Sequence, residues 1–109
     1  MVKVKFEQIG NKLGLSLVGH CGQAEIGKDI VCSACSILAY TVAQFVKEAD
    51  ESGYLKKPPT ISLESGNTVI TCMPIDDLLL DMQNIYFFAE KGYELLEQNY
   101  PQFVELKHF

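Results

Sequence analysis

The stretch Leu13-Gly14-Leu15-Ser16-Leu17-Val18-Gly19-His20-Cys21-Gly22-Gln23-Ala24-Glu25-Ile26-Gly27-Lys28-Asp29-Ile30-Val31-Cys32 changes its hydrophobic period part-way along. Its leucines recur at every second residue, the period of a half-buried strand. From Val31 onward Ala34, Cys35, Leu38, Val42, Phe45, Val46 and Ala49 recur at three- and four-residue steps, the period of an amphipathic helix. A strand enters this stretch and a helix leaves it. The glycine-bracketed segment between them, with a histidine at one end and a thiol at the other, is where chemistry is expected.

Upstream, Val2, Val4 and Phe6 alternate with Lys3, Lys5 and Glu7, and Gly10-Asn11 turns the chain into the leucine strand, which makes a β-hairpin. Continuing the strand period past Val18 puts His20 on the face opposite the leucines, away from the core and accessible. Asp29 has the position and chemistry of a helix N-cap, and Gly53 stops the helix that follows. After Pro58-Pro59, Ile61 and Leu63 alternate with polar residues, and Ser65-Gly66-Asn67 turns the chain into the strand Thr68–Met73. Between Asp76 and Tyr100 a second helix carries Leu79, Met82, Tyr86, Ala89, Tyr93, Leu96 and Tyr100 on one stripe. Leu80, Phe87, Phe88 and Leu95 lie off that stripe, surplus apolar surface that a homodimer would bury. Phe103, Val104, Leu106 and Phe109 supply a short final strand. The fold class is α+β, with two β-hairpins forming a mainly antiparallel sheet and two helices packed on it in the order β-β-α-β-β-α.

The 109 residues suit one domain, 1–109, and a hydrophobic content of 48% can fill its core. No signal-peptide pattern and no membrane-spanning run are read from the chain, so the expected compartment is the cytoplasm. In that reducing setting Cys21, Cys32, Cys35 and Cys72 are expected as thiols rather than a disulfide framework. A formal charge of −5 is unsuited to phosphate neutralisation, so no nucleic-acid partner is expected and a basic partner fits better.

Cys32 follows the Asp29 cap by three residues, where backbone N–H groups and a nearby imidazolium would both lower a thiol pKa. His20 would hold the thiolate and later protonate a leaving amine. The same N–H groups would steady a carbonyl oxyanion. Asp29 either caps the helix, worth about 1 kcal/mol, or orients His20 as a third member. Ser36, one turn beyond Cys32, either hydrogen-bonds near the sulfur or back to the preceding turn. Rival readings use Cys32 and Cys35 as a C-x-x-C dithiol, join His20, Cys21, Cys32 and Cys35 as zinc ligands, or leave a non-catalytic binding protein. No metal or cofactor is expected. Cys21 beside His20 further suggests a reversible disulfide with Cys32 that switches activity off.

Gly19-His20, Gly22, then Gly27-Lys28-Asp29-Ile30-Val31-Cys32 and Ser36 resemble the signature of the ribosomal-processing cysteine protease family known as Prp, over essentially the whole chain. The resemblance implies an endopeptidase that removes a short N-terminal extension, rich in basic and aromatic residues, from large-subunit ribosomal protein twenty-seven. It implies Cys32 as nucleophile, His20 as its base, a substrate loop containing Gly22 and Gly27, and a homodimer. The chain departs from the pattern in having cysteine at 21 and 35, where a small apolar residue is more usual.

Overall fold

The computed structural model describes residues 1–20 and 28–109. Readings that rest on Cys21, Gly22 and Gly27, or on the side chain of Asp29, lie outside the described residues. The elements are β1 (Val2–Ile9), β2 (Lys12–Val18), α1 (Lys28–Glu51), β3 (Thr60–Glu64), β4 (Asn67–Cys72), α2 (Leu79–Asn99) and β5 (Val104–Lys107). They build the expected α+β architecture, a five-stranded sheet in the order β3-β4-β2-β1-β5. All pairings are antiparallel except β1 with β5, which run parallel.

Register explains why one face is apolar. Ile70 pairs with Leu15 and Leu15 with Phe6, while Leu17 pairs with Val4 and Val4 with Leu106, so rows of apolar side chains cross the sheet on one side. Lys3, Lys5 and Glu7 alternate onto the exposed face. The apolar rows and the inner stripes of both helices form one core. β5 closes an edge, and the Leu106 N–H donates to the Glu97 carboxylate of α2 at 2.7 Å.

By length and composition α1 is apolar enough to cross a membrane, yet Val31, Cys35, Ala39, Val42, Ala43, Val46 and Ala49 are buried within the core. The buried stripe takes in Ala39 and Ala43, while Phe45, expected inside, stays 43% exposed. Small residues on that line let the helices approach closely. On α2, a Cβ at Gly92 would come within 2.8 Å of the Leu38 side chain. The second helix is interrupted where the periodicity reads as continuous: Asp76–Leu78 form a 3₁₀ turn before α2 begins at Leu79. Its expected stripe is inside, with Tyr86 and Tyr93 fully buried, and Phe88 at 83% exposure stands clear of it.

Both tyrosines find partners for their hydroxyls, as burial demands. Tyr93 donates to the Cys35 carbonyl at 2.9 Å, tying α2 to α1, and its ring meets Phe6 edge-on with centroids 5.9 Å apart. Tyr86 donates to the Ile70 carbonyl at 3.3 Å, tying α2 to β4. Replacing Tyr93 with phenylalanine should cost about 1 kcal/mol, and with alanine about 3–5 kcal/mol, measured by urea unfolding. Equal losses for the two variants would show that the hydroxyl, rather than the ring, carries the stabilisation.

Candidate active site

Gly19 ends β2 with φ at +109°, and a Cβ there would overlap the Met1 carbonyl oxygen, so only glycine makes this corner. The corner breaks the strand period. His20 is exposed, as expected, but it shares a cavity with Leu17 and α1 residues rather than leaving on the face opposite the leucines. Two hydrogen bonds hold the corner. The Gly19 N–H donates to the Gly66 carbonyl at 3.0 Å, and the Met1 amino group donates to the His20 carbonyl at 3.2 Å.

Since α1 begins at Lys28, the Asp29 backbone falls within the first turn rather than at the expected N-cap, and Cys32 is two positions deeper in the helix than a cap at Asp29 implies. The Cα–Cβ bond of a helical residue tilts toward the N-terminus, which inclines the Cys32 side chain back toward the first-turn N–H groups. Cys32 is half-buried against the core, and Cys32, Ser36 and Tyr40 succeed one another at four-residue spacing along the cavity wall. Cys32 is disulfide-bonded in this structure, so thiolate chemistry belongs to its reduced state. The part that Cys21 would take in such a switch lies outside the described residues.

The opposite wall comes from the second hairpin. Leu63, Glu64, Ser65, Gly66, Asn67 and Thr68 line, together with His20, Cys32 and Ser36, a cavity of about 400 Å³, roughly the room a few peptide side chains occupy. The sequence pattern marks these residues only as a turn, Ser65-Gly66-Asn67, and the strand ends that flank it. The pairing of β2 with β4, which sets Val18 opposite Asn67, is what carries that turn to the histidine.

Of the other described sulfurs, Cys35 borders the cavity and Cys72 does not. Cys35 is a free thiol, 3% exposed, and burial pushes its pKa up to about 11. Cys72 is also free and buried, its pKa raised by desolvation against a smaller opposing effect of the Tyr86 hydroxyl. Cys35 is therefore poorly suited to pair with Cys32 as a reactive dithiol. Among the described residues no group of three or more His, Cys, Asp or Glu side chains is placed to hold a metal ion. The other histidine, His108, lies with its Nδ1 3.5 Å from the largely buried Glu90 of α2, outside the residues that line the cavity.

Comparison with known proteins places this geometry. A family model for cysteine protease Prp matches residues 1–105. Among solved structures the chain is similar to the ribosomal processing protease Prp from S. aureus in complex with a substrate peptide, at 19% identity and a TM-score of 0.73 over 100% of both chains. The same protease with a covalently linked product peptide is similar at 20% identity and a TM-score of 0.72, again over 100% of both chains. SMU.848 from Streptococcus mutans is similar at 23% identity and a TM-score of 0.70, over 100% of this chain and 94% of that one. Among curated protein sequences nothing matches. The structural likenesses show the fold, and the family match along nearly the whole chain shows that it belongs to the cysteine protease Prp family.

Proposed function

We propose that this chain is an endopeptidase that removes the N-terminal extension of large-subunit ribosomal protein twenty-seven in the bacterial cytoplasm, with Cys32 as nucleophile and His20 as acid and base. The observation that carries the reading is that His20 and Cys32, from two different elements, line one cavity together with Ser36. Family membership supports the reaction class. The S. aureus relative is a ribosomal processing protease seen with a substrate peptide, which supports a peptide from the ribosome as substrate. The net charge of −5 suits a basic extension.

In the reduced protein the Cys32 thiolate attacks the scissile carbonyl carbon, and the oxyanion that forms is met by first-turn N–H groups of α1. The imidazolium of His20 gives its proton to the leaving amine as the C–N bond breaks, leaving a thioester. Neutral His20 then takes a proton from water as its oxygen attacks the thioester carbon; the C–S bond breaks, the new carboxyl product leaves, and the Cys32 thiolate and His20 imidazolium are restored. Asp29 orients His20 or sets its charge at the positive end of α1, Ser36 supports the sulfur, and the segment containing Gly22 and Gly27 contacts the substrate.

The apolar residues left on the outer helical face, among them Ile37, Tyr40, Phe45, Phe88 and Leu95, support a homodimer, since a second copy of this chain would cover them.

With a synthetic peptide bearing the ribosomal-protein extension and a reductant present, Cys32→Ser and His20→Ala should each lower kcat/KM by about 1,000-fold or more. Hydrolysis that survives Cys32→Ser would overturn the nucleophile assignment. Cys35→Ala should keep most of the activity, and peptide mapping after iodoacetamide at pH 8 should find Cys35 and Cys72 unlabelled in the folded protein while reduced Cys32 reacts. Rapid labelling of Cys35 would revive the dithiol reading. Light scattering should give a dimer for the wild type and a monomer for Phe88→Glu; a monomeric wild type would end the dimer reading.

A further inference from the structure

The β3–β4 turn does more than close a hairpin. Gly66 has φ at +76°, and a Cβ built on it would overlap Cε1 and Nε2 of His20 and lie 3.1 Å from Cδ2. The imidazole therefore rests by its Cε1–Nε2 edge on the bare Cα of Gly66. The same residue's carbonyl accepts from the Gly19 N–H at 3.0 Å, one residue before the histidine. Gly66 is thus tied to both the backbone and the ring of His20 while forming part of the wall opposite Cys32.

We propose that Gly66 is a positioning residue for the proposed reaction, the bed against which the His20 imidazole is held toward Cys32. This inference rests on the reading of His20 and Cys32 as the catalytic pair. A ring that has left a strand and stands exposed has few neighbours to hold its rotamer. A glycine Cα underneath, anchored by a backbone hydrogen bond, removes orientations that point the ring out of the cavity. Any side chain at 66 would displace the ring, and displacement of a catalytic group by an ångström is enough to slow turnover severely.

Backbone strain alone would also penalise a substitution here, and the molecule contains its own control. Gly53, after α1, has φ at +77° with nothing within 4 Å of where a Cβ would be. Alanine at 53 meets the same left-handed strain without touching His20. The test compares Gly66→Ala and Gly53→Ala in reduced full-length protein on the extension peptide. The two should lose similar thermal stability, but only Gly66→Ala should lose kcat, by about 100-fold with KM little changed. Only Gly66→Ala should shift the His20 ring resonances in NMR, which are separable because the chain has only two histidines. Only Gly66→Ala should slow Cys32 alkylation, followed by peptide mapping.

If Gly66→Ala fails to fold, Gly66→Asn and Gly53→Asn replace the pair, since asparagine tolerates the left-handed backbone yet carries the same Cβ. Equal behaviour of the 53 and 66 variants, with activity still dependent on His20, overturns this inference alone. Wild-type turnover in His20→Ala overturns the catalytic reading and the inference together.

Discussion

The antiparallel pairing of β2 with β4 is the join on which the rest of this molecule depends. It fuses two hairpins into one sheet and aligns Leu13 with Cys72 and Leu15 with Ile70, so that these apolar rows continue beneath the helices. A slip of one residue would reverse the leucine face toward solvent, a cost that makes the register strongly determined. The same pairing sets the end of β2 beside the β3–β4 turn. The core and the cavity are consequences of one set of hydrogen bonds.

From that join the two ends of the cavity are held by different means. His20 is delivered by a left-handed corner at Gly19 and rests on Gly66. Cys32 is carried by α1, whose seat is secured one turn further on by the Tyr93 hydroxyl on the Cys35 carbonyl. Packing also sorts the sulfurs. Both border the cavity, but Cys35, three residues after Cys32, falls on the buried stripe, where desolvation holds its thiol protonated, whereas Cys32 falls on the edge of that stripe and is only half-buried. Three residues carry a helical position through about 300°, about 60° short of a full turn, and that angle separates a core thiol from one that can meet a peptide.

Much of this was legible in the residues because it depends on short-range periodicity. Alternation in Val2–Phe6 and Leu13–Leu17 predicts the first hairpin, and the three- and four-residue spacing from Leu79 to Leu96 predicts α2 and its apolar surplus at Phe88 and Leu95. Parity misplaces His20, since the two-residue period holds only while the backbone stays extended and Gly19 ends it with a positive φ. Periodicity likewise reads Asp76–Leu78 as helix, where the chain makes a 3₁₀ turn, since a spacing of three or four residues fits either kind of helix over one turn. On α1 it places Phe45 inside, because a period identifies a stripe without showing how close the neighbouring helix comes.

The sequence by itself determined the element types and their order, the apolar face of each strand, and the suspicion that His20 and Cys32 belong together, because each follows from local propensity and from spacing along a few turns of chain. Only the tertiary structure decided the strand order β3-β4-β2-β1-β5, the parallel docking of β5 on β1, and the arrival of Gly66 under the imidazole. Those are contacts between residues far apart in the chain. Their choice rests on which pairing buries the most apolar surface with every strand hydrogen bond made, a comparison between whole folds that no local pattern contains.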